Sequence, residues 1–212
     1  MYFGEVTDPN IRHIFRDAGD FIVRPLKCGK FTLYAYAIDG LTSGADTSEY
    51  VIRPITDNLQ GDTIQALYTS ALRGRVYNSV ADPCRDLDTV ALKLVNGFCV
   101  ILFPEAGAIA FEVKTGEKRG ISAPEVENTV KGAKDAFVET VRTNTSLLRR
   151  HLRSPELRLY ETRVGRRSLT NVTVCYVEGI TNPTLVGRMK KRLNDTSVIP
   201  TISANCPRRI SS

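Results

Sequence analysis

DAFVETVRTNTSLLRRHLRSPELRLYETRVGRRSLTNVTVCYVEG, residues 135–179, reads as a long amphipathic helix followed by two strands that end on an acidic residue and a glycine. Phe137, Val141, Leu148 and Leu152 recur at the spacing that gathers side chains on one helical face. Asn144 and Thr145 interrupt that stripe, and a polar group placed there needs a hydrogen-bonding partner or costs about 1–3 kcal/mol. Arg142, Arg149, Arg150 and Arg153 line its flanks, and Arg166 and Arg167 follow a predicted turn at Gly165.

Upstream of this stretch the elements are short and mixed. A helix is predicted over Ile11–Ala18, then strands Phe21–Cys28 and Phe31–Ile38 joined through Gly29 and closed by Asp39-Gly40. Thr47–Leu59 is a helix interrupted at Pro54, and Asp62 is the expected N-cap of a helix reaching Leu72. A strand is expected over Val76–Val80. Asp82-Pro83 is expected to open a helix whose inner face is Leu87, Val90, Ala91 and Leu94. Phe98–Phe103 and Ala108–Lys114 form a second hairpin. Periodicity then lapses over Thr115–Gly132, among glycines, Pro124 and charges. After the long helix, placed at 134–153, come strands Leu157–Val164 and Val172–Val177, a helix Pro183–Leu193 and a tail without pattern, expected to fray.

The predicted architecture is therefore α/β: two small mixed subdomains, residues 1–115 and 134–212, joined by a linker at 116–133. Helix, strand, glycine turn, strand, acidic residue and glycine recur in both halves, with Gly29 answered by Gly165 and Asp39-Gly40 by Glu178-Gly179.

Composition bounds the function. Hydrophobic residues are 42% and charged residues 25% of the chain, ordinary for a folded protein. No apolar run approaches the roughly 18 residues of a membrane span, and the N-terminus lacks the pattern of a signal peptide, so a soluble, cytosol-facing chain is expected. Cys28, Cys84, Cys99, Cys175 and Cys206 are scattered, without a C-x-x-C pair, and are expected as reduced packing residues rather than a disulfide frame or zinc site. Residues 1–116 hold 11 basic and 14 acidic side chains, a net −3, whereas 117–212 hold 18 and 9, a net +9. That basic half suits nucleic acid, an anionic membrane surface or an acidic partner. Its aromatic residues are only Phe137, Tyr160 and Tyr176, too few for a base-stacking platform, and the run Arg188, Lys190, Lys191, Arg192 is what a helix C-terminus favours anyway.

No catalytic residue, cofactor motif or metal site is expected. His13 and His151 sit in arginine-rich surroundings and read as surface residues, and no nucleophile elbow, phosphate loop or zinc motif is present. Asp39 and Glu178 are expected to cap turns rather than to act as a carboxylate pair. For the arginines two readings stand. One is an anion or carboxylate site using bidentate guanidinium forks; the other is a solvated basic face with Glu139 and Arg142 paired at i, i+3. The residues that would contact a ligand or another subunit are Glu139, Arg142, Asn144, Thr145, Arg149, Gly165, Arg166, Arg167, Glu178 and Gly179.

FVETVRTNTSLLRRHLRSPELR, VGRRSLTNVTVCYVEGI and NPTLVGRMKKRL, with AYAIDGL, Ile52-Arg53-Pro54 and Lys131-Gly132 upstream, resemble the signature stretches of the spore germinant receptor A subunit. This is the GerA-type family of endospore-forming bacteria, with its SpoVAF-like paralogues. The resemblance runs from Phe21 to Leu193. It implies the soluble N-terminal domain of a membrane sensor, not an enzyme, working with B-type and C-type subunits at the spore inner membrane in nutrient-triggered germination. It implies self-association through assemblies anchored by transmembrane helices that this chain stops short of. A nutrient-binding cleft between two lobes is the alternative role, and nucleic-acid binding is a more distant one.

Overall fold

The computed structural model describes residues 1–76, 78, 80–115, 137–165 and 169–195. In chain order the elements are α1 (Asp8–Ile14), β1 (Phe21–Cys28), β2 (Phe31–Ile38), α2 (Gly44–Thr47), a π-helical turn (Ser48–Ile52), α3 (Arg53–Asn58), α4 (Ile64–Ser70) with a second π-helical turn (Ala71–Arg75), β3 (Ala81–Cys84), α5 (Leu87–Val95), β4 (Phe98–Phe103), β5 (Gly107–Glu112), α6 (Val141–His151), β6 (Leu157–Val164), β7 (Thr170–Val177) and α7 (Pro183–Asp195).

The first half builds a five-stranded antiparallel sheet in the order β1-β2-β4-β5-β3. The unbroken apolar run FCVILF is its central strand, buried at every position, as a strand covered on both faces must be. Period-two alternation then assigns its side chains to two cores. Val100 and Leu102 pack with Ile11, Phe15, Leu87, Val90 and Leu94 from α1 and α5. Cys99, Ile101 and Phe103 pack with Val51, Ile55 and Leu67 from the helices on the other side. The sheet is thus a filling between two helical layers.

Two sequence expectations fail at proline. Asp82-Pro83 does not open a helix: it lies inside β3, paired antiparallel with β5 at the sheet's edge, where the missing N–H interrupts no further ladder. Asp86 is the true N-cap of α5, accepting from Thr89 N at 2.7 Å. No strand forms among the described residues of 76–80. At Pro54 the helix is not broken but passes through the π-helical turn just before it, a looser geometry that absorbs the lost donor. The helix ahead of Leu72 is capped by Thr63, not Asp62, its hydroxyl accepting from Ala66 N at 3.1 Å.

The mixed α/β class expected from the sequence is the observed one. The proposed division into 1–115 and 134–212 turns on 116–133, which lies outside the described residues, as does the tail beyond Asp195. The second half contributes the antiparallel pair β6-β7, with α7 against β6. It meets the first half through backbone as well as side chains, since Gly19 N donates to Leu159 O at 2.9 Å beside a parallel bridge between Ala18 and Leu159. Both hairpins end in the same way. Gly40 (φ 83°) follows Asp39, and Gly179 (φ 82°) follows Glu178, in the left-handed region that favours glycine.

Cys28, Cys84 and Cys99 are buried free thiols and Cys175 is exposed, while Cys206 lies outside the described residues. Burial pushes the Cys99 thiol up to about 12, leaving it an inert packing group at neutral pH.

Candidate functional site

The stripe that appears to define α6 in sequence is not its buried face. Phe137 precedes the helix and is 65% exposed, and Val141 and Leu152 are also exposed. The residues that go inside are Thr145, Ser146, Leu147 and Arg149. The reason is an ion pair. Arg149, fully buried, holds Asp20, itself 1% exposed, through Nε (2.7 Å) and Nη2 (2.8 Å), and its Nη1 donates to Ser154 O at 3.1 Å. A bidentate fork with the third nitrogen also bonded is the geometry that makes a buried charge tolerable. Helix α6 thus turns Arg149 inward together with Thr145, Ser146 and Leu147, while Val141 stays exposed.

Around that pair the other candidates are also neutralised internally. Arg142 reaches Asp39 through Nε at 2.9 Å and Glu161 through Nη1 at 3.0 Å, so it does not form the expected pair with Glu139. Glu178 accepts from Arg158 Nε at 2.9 Å and from Arg158 Nη2 and Arg16. Those arginine hydrogen bonds, Arg158's foremost, hold the Glu178 carboxyl below the usual carboxylate range against the opposing effect of burial. Arg158 also donates to Ile14 O, fastening β6 to the end of α1. Asp39 and Glu178, expected as turn caps, are therefore guanidinium acceptors, and each joins its hairpin to a neighbouring element.

Asn144 and Thr145 find local partners, as their position in the helix requires. Asn144 Nδ2 donates to Val138 O at 2.6 Å and its Oδ1 accepts from Val138 N at 2.8 Å, pinning the chain that enters α6. Thr145 is buried and donates to Arg142 O at 3.0 Å. Replacing Asn144 by Leu is expected to lower stability by about 1–2 kcal/mol through loss of this two-way bond. Urea unfolding measures it, and an unchanged midpoint would show that Val138 is held by other means.

Gly165 adopts φ 87° at the β6-β7 turn, and Arg166 and Arg167 lie outside the described residues. Glu139 is exposed and, with Arg142, lines a cleft of about 540 Å³ over the β6-β7 hairpin, walled also by Glu161, Arg163, Asn171 and Thr173. A second cleft, about 210 Å³, opens between the halves and is lined by Leu41, Val95, Asn96, Gly97, Lys114, Thr115, Arg150 and Arg153. Sequence reasoning placed Arg150 and Arg153 on a helix flank without seeing that the chain near Lys114 comes to meet them. Both histidines are exposed. Lys190, part of the basic run, is drawn back onto the protein by Asp17 (3.1 Å) and the rings of Tyr160 and Tyr176. Among the described residues no group of His, Cys, Asp and Glu could hold a metal ion, and no helix is long and apolar enough to cross a membrane.

This arrangement of five-stranded sheet, α6 and β6-β7 hairpin has a solved counterpart. The crystal structure of the N-terminal domain of the A subunit of the Bacillus megaterium spore germinant receptor GerK3 aligns over 86% of this chain and 68% of that one, with a TM-score of 0.65 at 20% identity. The fold is thus that of a germinant-receptor A-subunit N-terminal domain. Residues 9–205 match the family described as Bacillus/Clostridium GerA spore germination protein, and the chain belongs to that family. Stage V sporulation protein AF of Bacillus subtilis is 34% identical over 128 residues, 60% of this chain and 26% of that protein. Spore germination protein GerLA of Bacillus cereus is 29% identical over 190 residues, 86% of this chain and 38% of that protein. The chain therefore spans well under half the length of either relative.

Proposed function

We propose that this chain is the sensing and assembly domain of a germinant-receptor A subunit, acting with B-type and C-type subunits in nutrient-triggered germination at the spore inner membrane. The observation that carries this reading is the coincidence of a GerA match over residues 9–205 with the A-subunit N-terminal fold. The internal electrostatics agree with a module that relays force rather than one that performs chemistry. Arg142, Arg149 and Arg158, the arginines a catalytic or substrate-binding role would call on, are committed internally: Arg142 and Arg149 pair with Asp39 and Asp20 of the first half, and Arg158, paired with Glu178, donates to Ile14 O there. A contact made on either half is thereby passed to the other. The opposite net charges of the two halves further suit contact between copies, the acidic part of one against the basic part of the next.

The test is genetic and biochemical. In an endospore former stripped of its other receptors of this family, deleting the coding region for residues 9–205 from the full-length gene is expected to abolish the nutrient response. A nutrient-independent trigger should still work, and the B-type and C-type subunits should no longer co-purify. Spores that keep a full nutrient response, with an unchanged complex, would overturn the proposal.

A further inference from the structure

Among the described residues four arginines are withdrawn from solvent: Arg142, Arg149, Arg150 and Arg158. Three of them have a carboxylate within 3.0 Å. Arg150 has none. Its hydrogen bond among the described residues runs from Nη2 to Thr115 Oγ1 at 3.2 Å, to a hydroxyl that is itself directed at the carbonyls of Gly40 and Leu41. A half-buried guanidinium bonded to a neutral oxygen has part of its desolvation cost uncompensated, which favours a counter-ion.

Two more cations converge on the same place. Arg153, just beyond the end of α6, donates through Nε to Arg150 O at 3.3 Å and through Nη1 to Asn96 Oδ1 at 3.4 Å, again neutral acceptors. Lys114, from the chain after β5, lines the cleft from the opposite side, partly balanced by Glu112 at 2.7 Å. The like charges of Arg150 and Arg153, brought close at the end of α6, repel, and Lys114 adds to that repulsion. Among the described residues no Asp or Glu lines the cleft, while Leu41 and Val95 supply an apolar wall. At about 210 Å³ the space is smaller than the roughly 300–1,000 Å³ of sites for larger organic ligands.

We propose that this cleft is a binding site for a compact oxyanion, a carboxylate or phosphate group, with Arg150 as its principal ligand, Arg153 and Lys114 as flanking cations and Thr115 as the group that sets Arg150's orientation. The guanidinium keeps free donors for bidentate contact with two oxygens. Because Lys114 and Thr115 come from the first half and Arg150 and Arg153 from the second, a bound anion bridges the two. The site stands on its own geometry, whether or not the chain serves in a germinant receptor.

Calorimetric titration of the chain with inorganic phosphate and, separately, malonate at constant ionic strength tests this. Saturable 1:1 binding of at least one is expected, and the preferred probe identifies phosphate or carboxylate as the recognised group. Arg150→Gln should weaken it roughly 10- to 100-fold, the effect of losing a charge-assisted contact. Arg153→Gln should weaken it less, and Arg188→Gln, on the exposed side of α7, not at all. Arg150→Gln removes a single 3.2 Å bond, so an unchanged urea midpoint will confirm that it remains folded. Absence of saturable binding by both probes, or equal weakening by Arg150→Gln and Arg188→Gln, would overturn the site in favour of diffuse charge attraction.

Discussion

Replacing Arg149 by Ala is expected to lower the unfolding free energy by about 3–5 kcal/mol, because the Asp20 carboxyl, 1% exposed, would lose its partner. Against a total stability of about 5–15 kcal/mol, that loss threatens the fold. The companion experiment is the double variant Asp20→Leu with Arg149→Met. It removes both charges and replaces them with apolar volume, so it should recover most of the lost stability. Urea unfolding of both proteins supplies the measurement. A single variant costing under about 1 kcal/mol would mean that water reaches Asp20 and that the halves are joined by other contacts.

The second large effect belongs to Gly40. Its φ of 83° costs an alanine about 1–2 kcal/mol, and an added Cβ would stand 2.8 Å from Ser146 Cβ on α6. The helix must move to admit it, adding a further cost of about 1–3 kcal/mol. Gly179 provides the control within the same protein. It has the matching φ of 82°, yet an added Cβ there meets nothing within 4 Å. Gly179→Ala should therefore lose only the backbone part, and thermal or urea unfolding of the two variants should differ by the cost of displacing α6. Equal losses would show that α6 gives way freely at Ser146.

The comparison of Gly40 with Gly179 illustrates what was legible in the sequence. Both hairpins, their turn glycines and the acidic residues that close them follow from local signals, and β6 lies where alternation places it, at Leu157–Val164. Those features depend on residues close together in the chain. What could not be read depends on distant partners. Arg149 on a helix flank looks like a surface residue until Asp20, 129 positions away, is brought against it, and that one contact reverses which face of α6 is buried. Pro83 reads as a helix start because nothing local reveals that β5 will pair beside it. At the candidate site, Asn144 and Thr145 are recognisable as polar groups needing partners, but the neutral acceptors of Arg150 and Arg153 are visible only once Thr115 and Asn96 are in place.

The Asp20–Arg149 contact also has a kinetic meaning. Hairpins β1-β2, β4-β5 and β6-β7 join strands that are near neighbours in sequence, contacts that close early at little entropic cost. The salt bridge closes a loop spanning 129 positions, so it forms after them and, as the chain breathes, opens before them. Detachment of α6 and the β6-β7 hairpin from an intact five-stranded sheet is then the expected first sub-global opening among the described elements. Amides of Leu157–Val164 would exchange with solvent hydrogen well ahead of those in Phe98–Phe103, giving the protein two clocks within one chain.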